Sequence, residues 1–442
     1  MWDAFFFVLL IPMNNASQKR NPWSWVPSLY FAQGLPYVIV IVVSTVIYKN
    51  LGLSNAQITF YTGWFYLPWV LKPFWSPFID HLKTKRFWVI ITQILMGVLI
   101  ASVGLTLPTH HFIKWSIIFF WLIAFSSSTH DIAADGYYML ALDDHQQSFF
   151  VGIRNTAWRI ASIAVQGGLV YLSGILMNEN KTAKTAWMMV LVGTGILYFA
   201  IGWYHKLILP KPAADIKREL TTGSQAISTY YKTIYSFFKR KNVIVFILFI
   251  LLFRLGEAQL TKLAAPFLLD STEAGGLALN NEQVGWAYGT IGVLGLVLGG
   301  ILGGIVVAKH GLRFWIWPMA LAMNLPDLNY IYMAHFQPEN LLFIQAFIAL
   351  EQLGYGFGFT AFTLYLIYFV QGENRTSHYA IATGIMALGM MIPGMLSGWI
   401  QEMFNYETFF IWVIICTIPG LILIPFLKID HNFGKKNKLT DL

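Results

Sequence analysis

Two acidic residues interrupt the fourth of a series of long apolar segments. Asp131 and Asp135 are four positions apart, so they lie on the same face if the segment is a helix. Two neighbouring carboxylates do not both ionise easily where the dielectric constant is low. The pair therefore predicts a group that takes up and releases a proton in apolar surroundings.

Basic residues in the fifth apolar segment could balance these acids. Arg154 and Arg159 follow the acidic pair along the chain. For Asp135 and Arg154, near the ends of their segments, two interpretations stay open: a proton or solute site, or an ion pair that only closes one side of the molecule. Asp131 and Arg159 lie deeper, where a charge is costly, and we interpret them as functional.

The second half of the chain repeats this concentration of charge. Arg254, Glu257 and Lys262 lie within little more than two turns of the seventh apolar segment, and Glu351 lies in the tenth. Full charges at such positions need a partner or a function. We expect Glu257, together with Asp131, to carry protons.

The first apolar segment contributes two uncharged polar residues. Gln33 and Tyr37 are one helical turn apart, around a break formed by Gly34 and Pro36. They either line the same site or form ordinary hydrogen bonds between helices. By contrast, Asp270 at the outer end of the seventh segment is expected to tolerate substitution by asparagine.

The composition indicates what kind of elements hold these residues. Of the 442 residues, 57% are hydrophobic and only 11% are charged, whereas about a quarter are charged in a soluble domain. Many apolar runs exceed the roughly 18–20 residues that span a bilayer. We predict an all-α membrane protein of about twelve transmembrane helices. The predicted helices cover residues 24–48, 57–80, 86–107, 114–142, 149–177, 185–208, 242–269, 281–309, 312–334, 340–370, 376–401 and 407–428.

The basic residues predict the orientation of the chain. They concentrate in alternate loops, in a central segment and in the C-terminal tail. Such segments face the cytoplasm, so the net charge of +8 reflects topology and predicts no binding of nucleic acid. Residues 1–12 are expected to be a short interfacial or disordered extension. The predicted organisation is a cytoplasmic N-terminus (1–22), a six-helix half (23–208), a cytoplasmic basic linker (209–241), a second six-helix half (242–428) and a cytoplasmic tail (429–442).

The two halves resemble each other in their loops. Leu53-Ser-Asn-Ala-Gln57 precedes the second helix, and Leu279-Asn-Asn-Glu-Gln283 precedes the eighth. Arg86-Phe-Trp88 opens the third helix, and Arg313-Phe-Trp315 opens the ninth. The constant offset is about half the chain length. Parallel six-helix halves of this kind resemble the major facilitator superfamily, in which the solute site lies between the halves near mid-membrane.

The connection after the second helix carries a further pattern. Asp80 ends the helix, and Lys83, Lys85 and Arg86 follow. An acid followed by basic residues here resembles the superfamily's cytoplasmic loop motif, which latches the outward-facing state. We assign Asp80, Lys83, Arg86 and Arg154 to a conformational gate. For the basic residues alone, charges that merely set the topology are the alternative.

Three strings of the first half resemble a narrower family. Leu67-Pro-Trp-Val-Leu-Lys72-Pro-Phe-Trp75-Ser-Pro77-Phe-Ile-Asp80 is similar to the helix-two signature of the muropeptide permeases, the AmpG family. Tyr30-Phe-Ala-Gln-Gly-Leu-Pro36 and Asp131-Ile-Ala-Ala-Asp135 are similar to that family too. In the second half the resemblance rests on layout. His130 departs from the pattern, which has Gln there, and is interpreted as tuning contacts with a sugar.

The resemblance implies a proton-coupled importer of anhydro-muropeptides in the cytoplasmic (inner) membrane. These cell-wall fragments join N-acetylglucosamine to anhydro-N-acetylmuramic acid, with or without peptide. By position, Lys72, Asp131, Asp135 and Arg159 match that family's polar residues. The alternatives are a transporter of another large anion, such as acetyl-CoA or a nucleotide-like molecule, and a membrane receptor or scaffold that transports nothing.

The residues independently fit a large anionic solute. Arg159, Arg254 and Lys262 offer cations for its carboxylates, and the many Trp and Tyr residues could stack on sugar rings. The sequence contains no Walker loop, no dinucleotide-binding pattern in a soluble segment and no cluster of metal ligands. We therefore expect no enzyme activity, cofactor or metal. The expected partners are the solute, protons and the lipid bilayer, and the chain is expected to be monomeric.

Overall fold

The computed structural model describes residues 20–142, 144–213, 215, 231–232, 234–371, 375–431 and 433–434. Across these residues the chain is almost entirely helical, and they contain no β-strand. The extension at residues 1–12 and most of the predicted basic linker and tail lie outside the described part.

The described residues form twelve long helices, which we number α1 to α12, and a short helical stretch at residues 231–232 and 234–238 lies between α6 and α7. Their ends agree with the predicted helices to within a few residues. We call α1 to α6 the N-terminal half and α7 to α12 the C-terminal half. The bounds are α1 Pro22–Asn50, α2 Asn55–Trp64 and Leu67–Leu82, α3 Lys85–Thr106, α4 Phe112–Ala141, α5 Asp144–Ser162 continued by Ile163–Leu169 and Val170–Asn178, α6 Ala183–Ile208, α7 Val243–Phe253 and Leu255–Leu269, α8 Asn281–His310, α9 Leu312–Asn324 and Leu328–Phe336, α10 Leu341–Phe369, α11 Arg375–Met403 and α12 Tyr406–Phe426.

Ten of the helices in the described residues are long and apolar enough to cross a membrane, judged by length and composition. The remaining two, α2 and α9, are interrupted. In α9 a 3-10 turn over Leu325–Asp327 contains Pro326, which lacks an N–H group and clashes within a continuous helix. The second segment of α2 likewise has a proline, Pro68, in its first turn. Both helices therefore cross the bundle in two pieces.

The repeated loop motifs adopt the same local structure in both halves. At the start of α2, Ser54 accepts from the N–H of Gln57, whose side chain accepts from the Ser54 N–H in return. Asn280 and Gln283 form the same reciprocal capping box at the start of α8. The sequence repeat is therefore a structural repeat, as predicted.

Each of these helices also starts with an asparagine that contacts the opposite half. Asn55 donates to the Gln401 amide oxygen and to the Tyr406 hydroxyl, each at 2.7 Å. Asn281 exchanges amide hydrogen bonds with Asn50 at 2.5 and 3.0 Å. These contacts lie at the far end of the bundle, by which we mean the end of the loops at 51–54, 107–111, 179–182, 270–280, 337–340 and 404–405. We call the opposite end the terminal end, because it contains the start of α1 and the end of α12.

Glycines allow close packing of helices within and between the halves. A Cβ atom at Gly299 of α8 would lie 2.0 Å from the Leu353 carbonyl oxygen of α10. Between the halves, a Cβ at Gly289 would lie 2.2 Å from the backbone nitrogen of Gly167. The outer faces are apolar, as Leu105 and Ile196 illustrate at 60% and 65% exposed. This surface suits contact with lipid.

Candidate functional site

Asp131 of α4 lies inside the N-terminal half, where two uncharged donors bind its carboxylate. The Gln33 amide of α1 donates to Oδ1 and the Trp69 indole N–H of α2 donates to Oδ2, both at 3.0 Å. Lys72, almost one turn beyond Trp69, interacts with Asp131 electrostatically. The structure therefore brings three of the predicted residues together, and the two donors and Lys72 offset part of the cost of burying the Asp131 carboxylate.

Asp135 lies one turn further along α4 and forms the predicted ion pair with α5. The Arg154 guanidinium is 3.1 Å from its Oδ1, and the Tyr30 hydroxyl donates to the same atom at 3.2 Å. Arg154 also lies over the Tyr30 ring, 4.4 Å from its centroid, and over the Tyr138 ring at 5.3 Å. The pair is partly exposed, at 26% for the Arg154 side chain and 44% for Asp135.

Arg159 lies elsewhere than the sequence predicted. We expected it to be the cation beside Asp131, but Lys72 and Arg154 take that place. Arg159 instead lies over the ring of its neighbour Trp158, 5.5 Å from the centroid, and interacts electrostatically with Tyr355 of the C-terminal half. The spacing of polar residues on α5 predicts the helix face on which Arg159 lies. It does not predict which neighbouring helix that face contacts.

The C-terminal half contains a second ion pair, formed within α7. The Arg254 guanidinium binds both carboxylate oxygens of Glu257, its Nε at 2.6 Å, and donates to the Tyr355 hydroxyl of α10 at 3.0 Å. Arg254 also lies over the Phe359 ring at 4.9 Å. Helix α7 is interrupted at Arg254, and this interruption places the guanidinium next to the carboxylate three residues later.

Aromatic residues of the N-terminal half face this ion pair. Tyr37 and Tyr66 interact electrostatically with both Arg254 and Glu257. Tyr37 packs edge-on against Trp69, with ring centroids 5.1 Å apart. Tyr37 therefore connects the pocket of Asp131 with the ion pair of α7, and the two predicted clusters meet between the halves.

Lys262 crosses directly from α7 to α2. Its Nζ donates to the Thr62 carbonyl oxygen at 3.2 Å and to the Thr62 hydroxyl at 3.1 Å. It also lies 5.2 Å from the centroid of the Tyr66 ring. The side chain is 2% exposed, and in the part of the chain that the structure describes it forms no ion pair.

The last predicted site residue, Glu351 of α10, has a neighbour that the sequence reading missed. Asp327 lies at the break in α9, and the two carboxyl groups interact electrostatically. Glu351 accepts from the Gln352 amide at 2.9 Å, and that amide also donates to the Tyr288 hydroxyl at 3.1 Å. The signal for Asp327 was its place after Pro326 inside an apolar run.

Two of the predicted gate residues at the terminal end, Arg86 and Lys83, contact their own half, whereas Arg154 also interacts electrostatically with Tyr379 of α11. Arg86 donates to the backbone carbonyls of Leu209 at 3.1 Å and Lys206 at 2.5 Å, and so closes the end of α6. Lys83 lies near the ring of Phe87. The Asp80 side chain lies outside the described residues. The assignment of these residues to a gate stays a prediction.

Asp270, which we expected to tolerate substitution by asparagine, makes contacts that its position at a helix end did not indicate. It forms an ion pair with Lys49 of α1 at 2.5 Å and accepts from the Tyr406 hydroxyl of α12 at 2.6 Å. Lys49 also donates to the Asn55 amide oxygen at 2.9 Å. Asp270 therefore links the two halves at the far end, a role that its position at a helix end concealed.

His130, interpreted from the sequence as tuning contacts with a sugar, lies in the interior of the N-terminal half. Its side chain is fully buried and its Nε2 lies 2.9 Å from the Gln93 amide nitrogen of α3. The Gln93 amide oxygen in turn lies 2.8 Å from His205 Nδ1 of α6, and His205 Nε2 lies 2.9 Å from the Ser28 hydroxyl of α1. His130 therefore belongs to a chain of hydrogen bonds behind Asp131, inside the N-terminal half.

Twelve helices in two repeated halves, with charged residues enclosed between them, are the architecture of membrane transporters whose solute site lies between the halves. Comparison with known families agrees. The model described as the Major Facilitator Superfamily matches residues 28–258. The chain belongs to the Major Facilitator Superfamily and is a multi-pass membrane transporter of small-molecule solutes.

Relatives with curated names lie within the same superfamily. The chain is 25% identical over 419 residues to the anhydromuropeptide permease of Escherichia coli K12, across 92% of this chain and 81% of that protein. It is 24% identical over 412 residues to the transporter designated AmpG 4 of Rickettsia conorii, across 91% of this chain and 96% of that protein. The predicted resemblance to the muropeptide permeases is confirmed over most of the chain.

Solved structures share the fold at lower identity. A D-xylose–proton symporter superposes with a TM-score of 0.70 at 12% identity, covering 94% of this chain and 99% of that one. A bacterial homologue of the human lysosomal transporter Spinster, in an inward-facing and unoccupied conformation, superposes with a TM-score of 0.68 at 14% identity, covering 93% and 97%. The predicted fold class is confirmed.

Proposed function

We propose that the protein imports anhydro-muropeptides across the inner membrane, driven by protons. The observation that supports this most directly is the pair of cations Arg159 and Lys262. Within the described residues neither forms an ion pair, although Lys262 is buried. A buried cation without a counter-charge is costly. Carboxylates on the peptide of such a fragment would supply that charge.

The aromatic residues between the halves suit the sugar part of the solute. Tyr37, Trp69 and Trp158 form a contiguous aromatic group, with ring centroids 5.1 and 5.9 Å apart, and Tyr66 lies beside Lys262. Binding sites for small molecules combine such flat apolar surfaces with a few well-placed polar groups. The name of the Escherichia coli relative, anhydromuropeptide permease, supports the same solute.

Orientation and conformational state complete the proposal. With both termini in the cytoplasm, as the basic loops predict, the far end faces the periplasm. The far-end contacts of Asn55, Asn281 and the Lys49–Asp270 ion pair would then close the periplasmic side. The described conformation would be the inward-facing one, from which the solute is released into the cytoplasm.

Uptake by the purified chain in proteoliposomes tests the function. The probe is radiolabelled N-acetylglucosaminyl-anhydro-N-acetylmuramic acid carrying a tripeptide. We expect an imposed inward proton gradient to accumulate the fragment, and a protonophore to abolish accumulation. An excess of unlabelled fragment should compete, whereas acetyl-CoA or a nucleotide should not. Accumulation of acetyl-CoA instead of the fragment would favour the other large anion as the solute.

Two variants test the role of the cations. Arg159→Gln and Lys262→Gln should each weaken binding of the peptide-bearing fragment about tenfold, equivalent to about 1.4 kcal/mol, while binding of the same disaccharide without peptide changes less. Lys114→Gln is the matched control, because Lys114 is exposed and lies over the neighbouring Trp115 ring. Equal losses for both fragments would show that the cations are not carboxylate partners.

A further inference from the structure

Two carboxyl groups lie buried side by side in the C-terminal half. Glu351 of α10 is 4% exposed, and Asp327 at the break in α9 is 5% exposed. They interact electrostatically, and in the described part of the chain neither forms an ion pair. Isolated charges at such depth cost several kcal/mol each. Two adjacent carboxylates without a cation therefore favour a state in which a proton neutralises at least one of them.

Among the described residues, the groups that act on this pair add no positive charge. Tyr288 of α8 and Tyr330 of α9 present phenols to both carboxyl groups. Glu257 of α7 adds a third negative group that acts on both of them. Arg254, the basic residue on this face of α7, already binds both oxygens of Glu257. Glu257 is therefore compensated, and Asp327 and Glu351 are not.

Tyr330 supplies a hydroxyl group at the same place. Its side chain is fully buried, and it interacts with the Tyr288 hydroxyl and electrostatically with Glu351 and Asp327. A hydrogen bond to a charged acceptor is stronger than one between neutral groups. The hydroxyl is therefore suited to donate to a carboxylate that forms when a proton leaves.

The break in α9 explains why these residues meet. The 3-10 turn Leu325–Asp327 contains Pro326 and presses against α10 at Gly354, where a Cβ atom would lie 2.1 Å from the Ala322 carbonyl oxygen. Only glycine allows this approach, which holds Asp327 next to Glu351. Interrupted helices form the ion sites of many secondary transporters, and here the interruption carries an acid.

We propose that Asp327 and Glu351 form a site that binds one proton between their carboxyl oxygens and releases it when the halves rearrange. Binding converts one carboxylate into a carboxylic acid, and release restores the carboxylate, which Tyr330 can then stabilise. The proposal rests on the proposed proton coupling. It assigns the proton in the C-terminal half to this pair instead of to Glu257, whose two carboxyl oxygens bind Arg254.

Infrared difference spectroscopy of the purified full-length protein tests the site without any solute. A protonated carboxylic acid has a C=O stretching band distinct from that of a carboxylate. We expect such a band at neutral pH, lost on alkaline titration and strongly reduced in both Glu351→Gln and Asp327→Asn. Glu407→Gln is the control, because Glu407 is exposed and binds His335 at the far end. A band that both buried variants leave unchanged would overturn the proposal.

Transport separates this proposal from the proposed function. In proteoliposomes, Glu351→Gln should reduce the accumulation ratio of labelled fragment under a proton gradient to one, while exchange of internal and external fragment persists. If the wild-type chain moved no muropeptide but kept the titrating band, the proposed solute would fail and the proton site would stand. If sodium instead of protons drove accumulation, or if Glu351→Gln accumulated normally, the proton site would be refuted.

Discussion

The two halves of the molecule surround their buried acids with different groups. In the N-terminal half, Asp131 accepts from Gln33 and Trp69 and lies near Lys72. In the C-terminal half, Glu351 accepts from Gln352 and lies near another acid, Asp327. The first acid is surrounded by two donors and a cation, whereas the second has another acid as its neighbour.

The ion pairs of the halves differ as well. Glu257 and Arg254 are bonded through two oxygens, at 11% and 8% exposed, whereas Asp135 and Arg154 share one oxygen and are far more exposed. A repeated fold therefore does not imply repeated chemistry. We expect the C-terminal half, where we place the proton, to change its protonation during transport.

The largest expected effect comes from breaking the buried pair of α7. Arg254→Leu leaves Glu257 buried without its partner, and removing one member of a buried ion pair costs about 3–5 kcal/mol. We expect a loss of most folded protein, measured by size-exclusion chromatography and by thermal unfolding in detergent. Arg254→Leu combined with Glu257→Leu should recover much of the folded yield, although not transport. A single variant as stable as wild type would show that water reaches Glu257.

The second expected effect concerns Asp131 and tests whether its charge is required. In Asp131→Asn the amide can accept through one oxygen only, so either Gln33 or Trp69 loses its acceptor. We expect proton-driven uptake of labelled muropeptide to fall more than tenfold. The infrared band assigned to Asp327 and Glu351 should remain, because the substitution leaves both of those carboxyl groups in place. Disappearance of that band in Asp131→Asn would place the proton in the N-terminal half and reverse the comparison.

Much of this fold could be predicted from the sequence because its signals are local. Apolar run length sets each span, and the two capping boxes depend on residues only three positions apart, such as Ser54 and Gln57. The Arg254–Glu257 pair was predicted for the same reason, since helical spacing alone brings the side chains together.

Contacts between helices far apart in the chain escaped prediction. Arg159 was assigned to Asp131 because both lie deep in neighbouring helices, yet it faces Tyr355. Asp270 and Lys49 form an ion pair across the two halves, and nothing local to either residue indicates the other. Helical periodicity gives the face of a residue but not the helix that the face meets.

An intermediate effect is expected from the far-end ion pair. Asp270→Asn removes the charge opposite Lys49 but keeps an acceptor for Tyr406, so we expect the closed state to lose about 1 kcal/mol, or roughly fivefold in the population of the open state. The measurement is the rate at which a membrane-impermeant maleimide labels a cysteine introduced by Ala56→Cys, a buried far-end position, in a Cys416→Ser background. An unchanged rate would show that the ion pair does not hold the far end closed.

The smallest expected effect on stability comes from breaking the Arg154–Asp135 ion pair, and it compares that pair directly with the Arg254–Glu257 pair. Arg154 and Asp135 are 26% and 44% exposed, so water stabilises either charge when its partner is removed, and such pairs contribute about 0–1 kcal/mol. Arg154→Leu should therefore lower thermal stability only slightly, in contrast to Arg254→Leu. Part of any loss would come from packing, because the guanidinium also covers the Tyr30 ring. Arg154→Lys keeps the charge but gives up the flat stacking surface, and should lose only that packing contribution. If Arg154→Leu instead unfolded the protein as Arg254→Leu is expected to do, the two pairs would be equivalent in energy, and the difference between the halves would lie in their acids alone.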